Sequence, residues 1–118
     1  MNKILVVDDD ADILAVVEII LSMHNYSVKT ISRREDISHS IQNFTPDLIL
    51  LDVALGGADG REICSALKKS ASTKHIPIIL FSAQYDLANN MRGCKANGLV
   101  TKPFETPYLL ETIRRNIA

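Results

Sequence analysis

The chain has 118 residues with a formal net charge of -1, and 47% of its residues are hydrophobic and 23% charged. This length suits one domain, and the composition excludes a disordered chain and a surface basic enough for nucleic-acid binding to be its main role. No apolar run reaches the roughly 20 residues of a membrane-spanning helix, and no signal-peptide pattern is present. We therefore expect one cytoplasmic domain over residues 1–118 with no membrane association.

Five short apolar runs predict β-strands, and their starts lie 20 to 28 residues apart. They cover residues 4–7, 28–31, 48–51, 76–81 and 99–101. The first, third and fourth runs are continuously apolar, which is typical of parallel strands buried on both faces. The second and fifth are weaker, so we expect them nearer the edges of the sheet.

Apolar positions repeating at three and four residues predict helices between the strands. Asp10 is a candidate N-cap for the first helix, and Asn25 can take the left-handed conformation that ends it. A short polar second helix surrounds Ile37 and Ile41, and Asp59 can cap the third. A short fourth helix covers 87–92 and a fifth covers 107–117.

Strands alternating with helices at this spacing predict an α/β fold. We expect a flavodoxin-like, doubly wound, five-stranded parallel sheet with strand order 2-1-3-4-5 and five helices. Right-handed crossovers bring the carboxyl ends of all strands to one edge, where such folds bind their ligands. The cysteines, Cys64 and Cys94, have no metal-binding spacing and are interpreted as buried, reduced thiols.

Polar residues follow four of the predicted strands. They are Asp8-Asp9-Asp10, Asp52, Ser82-Ala83 and Lys102-Pro103. The strand order brings Asp8, Asp9 and Asp52 together, and three close carboxylates repel one another unless protons or a cation neutralise them. Lys102 supplies one positive charge, so we expect a hard divalent ion, magnesium or its mimic manganese. A carboxylate beside that ion can attack a phosphoryl group, with Ser82 and Lys102 contacting the phosphoryl oxygens.

These residues, in this order, resemble the receiver domain of two-component response regulators, and the resemblance covers essentially the whole chain. The residues that carry it are Val6-Val7-Asp8-Asp9, Leu50-Leu51-Asp52, Asp59-Gly60, Phe81-Ser82-Ala83 and Thr101-Lys102-Pro103-Phe104. The resemblance implies a phosphorylation-controlled switch without a metabolic substrate, acting on a downstream protein that the sequence does not identify.

The resemblance also implies a role for each acidic residue. Asp52 would be the phosphoacceptor, taking its phosphoryl group from a sensor histidine kinase or a histidine phosphotransfer protein. Asp9 would ligate magnesium directly, and Asp8 would act mainly through a coordinated water. Asp52 and the backbone carbonyl of Ala54 would complete the protein's share of the metal coordination.

The phosphoryl group itself would be bound by residues that follow the last two predicted strands. By the same resemblance, Lys102 would bind one phosphoryl oxygen, Ser82 would move to hydrogen-bond another, and Ala83 would also bind the phosphoryl group. The bond between Lys102 and Pro103 is a candidate cis peptide.

The chain departs from the receiver pattern in two places. Receivers commonly carry an aromatic switch residue three positions before the lysine, where this chain has Leu99. They often carry Met-Pro at the third and fourth positions after the phosphoacceptor, where this chain has Leu55-Gly56. With Gly57 next, we expect a more mobile loop than the proline form would give.

Three other readings stay open on the sequence alone. A degenerate receiver would dock partners without being phosphorylated. A phosphohydrolase resembling the haloacid dehalogenases would use the Asp8-x-Asp10 pattern, but it needs a longer chain and a later acidic pair. A flavodoxin-like cofactor binder would need a phosphate loop after the first strand, where aspartates would repel phosphate. The sequence also does not separate a stand-alone receiver from part of a longer regulator or hybrid kinase.

Overall fold

The computed structural model describes residues 2–83 and 94–117. Its strands are β1 (Lys3–Val7), β2 (Ser27–Ile31), β3 (Leu48–Asp52), β4 (Ala54–Leu55), β5 (Ala58–Asp59), β6 (Ile78–Ala83) and β7 (Gly98–Lys102). Its α-helices are α1 (Ala11–Met23), α2 (Ile37–Phe44), α3 (Gly60–Lys69) and α4 (Thr106–Asn116). A single turn of 3-10 helix, Arg34–Asp36, leads into α2. The helix predicted over 87–92 lies outside the described residues.

Five strands form one parallel sheet in the order β2-β1-β3-β6-β7, which confirms the predicted 2-1-3-4-5 order. The weaker apolar runs, β2 and β7, are its edge strands, as expected. All residues of β1 from Ile4 to Val7 and all residues of β3 are buried, because helices cover both faces of the sheet. The carboxyl ends of β1, β3, β6 and β7 therefore meet along one edge.

The core has two halves, one on each face of the sheet. Strand residues alternate between the faces, so that Ile4 and Val6 of β1 pack toward α1 and α4 while Leu5 and Val7 pack toward α2 and α3. Cys64 of α3 and Cys94 belong to the second half and are both buried, as the sequence predicts. Burial, with Cys94 close by, raises the pKa of the Cys64 thiol to about 12, so this thiol is un-ionised at neutral pH.

Local capping fixes where the helices begin and end. Asp10 caps α1 by accepting hydrogen bonds from the backbone amides of Asp12 and Ile13, at 2.9 and 3.3 Å. Asn25 follows α1 with φ of 69°, the left-handed conformation predicted for it. Asp59 caps α3 by accepting from the Arg61 amide at 2.9 Å. Among the described helices, none is long and apolar enough to cross a membrane.

The structure differs from the sequence expectation at strand boundaries and in one loop. The strand predicted from residue 76 begins at Ile78, because the preceding Pro77 has no N–H to contribute to the ladder. Some of the polar residues that were expected to follow the strands belong to them instead. Asp52 is the last residue of β3, and Lys102 is the last residue of β7. The loop predicted after Asp52 contains the antiparallel β4–β5 hairpin.

Candidate functional site

Three carboxylates converge at the carboxyl edge of the sheet. Asp8 and Asp9 directly follow β1, and Asp52 ends the neighbouring strand β3. One carboxylate oxygen from each of the three lies within 4.8 Å of the other two. Asp8 and Asp52 are buried, whereas Asp9 is exposed at the mouth of the site. The strand order thus brings together the residues that the sequence predicts to be neighbours.

Asp8 is a fully buried carboxylate with partners on both oxygens. Its Oδ2 accepts a hydrogen bond from the Lys102 ammonium at 2.8 Å, and its Oδ1 accepts from the Asp10 backbone amide at 2.9 Å. A buried charge is tolerated when it is both paired and hydrogen-bonded. Asp8 and Lys102 therefore form a fixed ion pair at the floor of the site.

Asp52 is 5% exposed, and its polar contacts among the described residues fall on Oδ1. This oxygen lies 3.3 Å from Lys102 Nζ and accepts from the Ala54 backbone amide at 3.3 Å. Burial first, and the charge of Asp8 second, raise the pKa of Asp52 to about 6, against the opposing effects of the Lys102 charge and the Ala54 amide. Asp52 is therefore largely ionised at neutral pH, in an environment that disfavours its charge.

Lys102 is the cation between these two carboxylates. Burial alone would lower its pKa, but the hydrogen bond to Asp8 and the charges of Asp52 and Asp8 outweigh burial and raise it. The Lys102 ammonium also lies 5.9 Å from the centroid of the Phe81 ring, which stacks on Phe104 with centroids 5.6 Å apart. The lysine is thus a permanent positive charge, and the peptide bond that follows it, to Pro103, is cis.

The β4–β5 hairpin brings a backbone amide to Asp9. Gly56 and Gly57 form its two-residue turn with φ of 51° and 87°, the positive values that such a turn requires. The Gly56 N–H donates to Asp9 Oδ2 at 3.0 Å. Sequence reasoning missed this contact, although two glycines between short strand-like segments are a known hairpin signal. The buried side chain of Leu55 anchors the hairpin to the core.

The remaining predicted residues lie on β6 and β7. Asp52 pairs in register with Phe81, so the buried Ser82 lies one residue farther along the adjacent strand. Ala83 pairs with Lys102 at the ends of β6 and β7.

The predicted switch position, Leu99, lies three residues before Lys102 in β7, where it pairs with Leu80 of β6. Leu99 is partly buried against the half of the core that α2 and α3 cover. Its backbone carbonyl accepts a hydrogen bond from the Tyr108 hydroxyl of α4 at 3.2 Å. The sequence analysis does not anticipate this contact, because nothing in the spacing of the two residues indicates that they meet.

The charges and donor atoms at this edge fit a hard divalent cation. Among the described residues, three carboxylates meet here and the Lys102 ammonium pairs with two of them, Asp8 and Asp52, which leaves an excess of negative charge in a partly buried site. All the side-chain donors are oxygens, which Mg²⁺ and Mn²⁺ prefer over the nitrogen and sulfur donors that suit zinc. The three oxygens lie close enough to one another to bind the same ion. An acidic cluster typical of a receiver's magnesium site is therefore present.

Comparison with known proteins gives a consistent result. The family model for the response regulator receiver domain matches residues 4–114. The nisin biosynthesis regulatory protein NisR of Lactococcus lactis subsp. lactis is 40% identical over 121 residues, which cover 98% of this chain and 50% of NisR. The chain spans about half the length of the curated relatives it matches.

Solved structures show the same likeness. The crystal structure of a putative response regulator from Chloroflexus aurantiacus J-10-fl is 30% identical with a TM-score of 0.90, covering 98% of this chain and 96% of that one. The structure described as the BeF3-activated DrrB receiver domain is 33% identical with a TM-score of 0.84, covering 98% and 97%. This chain belongs to the response regulator receiver domain family, whose members are phosphorylation-controlled switches of two-component signalling rather than metabolic enzymes.

Proposed function

We propose that Asp52 accepts a phosphoryl group from a histidine of a sensor kinase or a phosphotransfer protein, and that the resulting acyl phosphate changes the chain's contacts with a downstream protein. The observation that carries the proposal is the convergence of Asp8, Asp9 and Asp52, of which Asp8 and Asp52 pair with the Lys102 ammonium. It is supported by the near-neutral charge of the chain, which favours a protein target over direct nucleic-acid binding. The proposed setting is the cytoplasm.

Magnesium, or manganese in its place, is the proposed cofactor. Asp9 would ligate the ion directly, Asp8 through a water, and Asp52 through its carboxylate. The Ala54 carbonyl would be a further ligand. In a two-residue hairpin, Leu55 and Ala58 are the hydrogen-bonded pair, so the Ala54 carbonyl points away from the β4–β5 ladder. When bound, the ion neutralises charge on the carboxylates and the phosphoryl oxygens.

Asp52 Oδ2 is the proposed nucleophile, because the described contacts occupy Oδ1. A new bond forms between Oδ2 and phosphorus as the bond from phosphorus to the donor nitrogen breaks, and the nitrogen keeps the electron pair. Lys102, which already lies 3.3 Å from Asp52, would pair with one phosphoryl oxygen. Ser82 and Ala83, at the end of the adjacent strand β6, would contact the others, and Leu99 is the proposed switch position.

The test is an intact mass measurement after incubation with acetyl phosphate, with and without Mg²⁺. We expect one phosphoryl adduct on the parent chain, none after chelation of magnesium, and none on Asp52→Asn. Asp10→Asn is a matched control, because Asp10 is a neighbouring carboxylate that caps α1, and this variant should still be phosphorylated.

The same experiment tests the alternative of a degenerate receiver that docks partners without phosphorylation. That reading predicts no adduct on the parent chain and no binding of beryllofluoride in the presence of Mg²⁺. Beryllofluoride binding without an adduct would instead indicate rapid hydrolysis of the acyl phosphate. An adduct that persists on Asp52→Asn would contradict the assignment of the phosphoacceptor.

A further inference from the structure

The turn of the β4–β5 hairpin contacts a carboxylate 47 residues earlier in the chain. The Gly56 backbone N–H donates to Asp9 Oδ2 at 3.0 Å. Asp9 is exposed and belongs to the three-carboxylate cluster, and among the described residues the Gly56 amide is the one hydrogen-bond donor to its side chain. A hydrogen bond from an amide to an ionised carboxylate is charge-assisted and stronger than one between neutral groups.

The amide is held in a fixed position by the hairpin around it. Ala54 pairs with Asp59 and Leu55 with Ala58, while the Leu55 side chain is buried in the core. Asp59 in turn caps α3, so the hairpin is tied to the sheet at one end and to a helix at the other. The Gly56 N–H therefore belongs to a hairpin whose strands are paired and whose Leu55 side chain is packed in the core.

We propose that the Gly56 backbone amide is a positioning group for the cation site, which holds the Asp9 carboxylate by Oδ2 and leaves its other oxygen directed to the ion. The inference rests on the proposed function in taking Asp9 as a magnesium ligand. Groups that orient a metal ligand commonly raise metal affinity by about tenfold or more, because less ordering remains to be done when the ion binds.

The contact depends on the residue that this chain has at position 56. Receivers often carry proline there, and proline has no N–H to donate. Gly56 has both the N–H and a φ of 51°. Proline cannot adopt this value, because its ring fixes φ near -65°. This chain therefore orients its exposed acidic ligand with a group that the common pattern lacks.

Calorimetric titration with Mg²⁺ of the unphosphorylated chain and two variants tests the proposal. Gly56→Pro removes the N–H, and we expect its dissociation constant to rise about tenfold. Gly56→Asn keeps the N–H, tolerates positive φ, and has no atom within 4 Å of the added Cβ, so we expect affinity within about twofold of the parent.

Amide hydrogen exchange distinguishes the effect of the hydrogen bond between Gly56 and Asp9 from the effect of a change in the conformation of the turn. In the parent chain the Gly56 amide should exchange more slowly than the neighbouring Gly57 amide. Asp9→Ala removes the acceptor and should abolish this difference, whereas Asp9→Asn keeps an oxygen acceptor and should preserve most of it. This readout does not depend on magnesium or on phosphorylation.

The outcomes distinguish this inference from the proposed function. If the parent binds no Mg²⁺ at millimolar concentrations, the proposed cation site and the inference both fail. If the parent binds Mg²⁺ but Gly56→Pro binds it equally well, the inference alone is wrong. Equal exchange of the Gly56 and Gly57 amides, or slow Gly56 exchange that persists in Asp9→Ala, also overturns it.

Discussion

Asp52 combines two properties that are opposed in a folded protein, burial and charge. The residue is 5% exposed and lies beside the fully buried Asp8, and the two carboxylates share the ammonium of Lys102. Burial first, and the neighbouring charge of Asp8 second, raise the pKa of Asp52 to about 6, because the Lys102 charge offsets these two effects only in part. In the metal-free protein, the buried charge of Asp52 therefore lowers the free energy of unfolding.

Asp52→Asn should stabilise the metal-free chain at pH 7, because it removes a charge that folding buries. The folded pKa of about 6 exceeds the unfolded value, so ionised Asp52 opposes folding above pH 6, and this effect disappears below about pH 4. We expect a gain on the order of 1–2 kcal/mol at pH 7 that vanishes near pH 4. Urea unfolding of the parent and the variant, in buffer that contains a metal chelator and at several pH values, measures this gain. A gain that does not change with pH would contradict the prediction.

Gly60 is required by the close approach of α3 to the end of β3. A Cβ at this position would lie 2.1 Å from the Asp52 carbonyl oxygen and 2.9 Å from the Val53 Cα. Gly60→Ala should therefore lower the free energy of unfolding by roughly 1–3 kcal/mol, despite alanine's better helix propensity.

Gly98→Ala is the matched control for Gly60→Ala. Its added Cβ would meet a side-chain methyl of Thr112 at 3.2 Å, which can shift, so the loss should be smaller. Urea unfolding measures the loss of unfolding free energy in both variants. An equal loss at the two positions would show that the close contact with the Asp52 backbone does not cause the loss in Gly60→Ala.

Among the elements, α1 is positioned beside the site by its own cap. The helix begins at Ala11, and the amide of its cap residue, Asp10, donates to Asp8. Asp10→Ala should cost about 1 kcal/mol of unfolding free energy, whereas Asp10→Asn, which can still cap, should cost a few tenths. Equal losses in the two variants, measured by urea unfolding, would mean that the charge of Asp10 matters more than its capping hydrogen bonds.

An element can be predicted from sequence when the residues that determine it are close together in the chain. The caps of α1 and α3 follow from Asp10 and Asp59, because a cap needs only a short polar side chain and the adjacent amides. The β4–β5 hairpin does not follow from the local sequence in the same way, because two adjacent glycines, Gly56 and Gly57, fit a flexible loop as well as a tight turn. Their positive φ values fit a tight turn, which the buried Leu55 then anchors in the core.

For the molecule as a whole, the regular spacing of apolar runs predicts strands alternating with helices, and the confirmed order 2-1-3-4-5 is the one expected when that sheet is taken as a flavodoxin-like, doubly wound sheet. That order implied that Asp8, Asp9 and Asp52 meet, because parallel strands share one carboxyl edge. The sequence could not show which oxygens pair with Lys102 or that the Tyr108 hydroxyl contacts the Leu99 carbonyl. Such contacts depend on ångström-scale packing between elements that are distant in sequence.

The site joins β1 to β3, so cation binding and global stability should be linked. The three carboxylates meet only when the sheet is formed, and a ligand that binds only the folded state stabilises it by about 2.7 kcal/mol at a hundredfold excess over its dissociation constant. We expect the melting temperature to rise steadily with Mg²⁺ concentration at pH 7.

NaCl at matched ionic strength is the control for this linkage, because screening alone would relieve some repulsion among the carboxylates. The rise with Mg²⁺ should exceed that with NaCl, and it should be smaller in Asp52→Asn, which lacks the charge of one proposed ligand. If the two salts act equally on the parent chain, the carboxylates respond to ionic strength and do not form a specific cation site. If Asp52→Asn responds to Mg²⁺ as strongly as the parent does, the ion is bound elsewhere on the molecule.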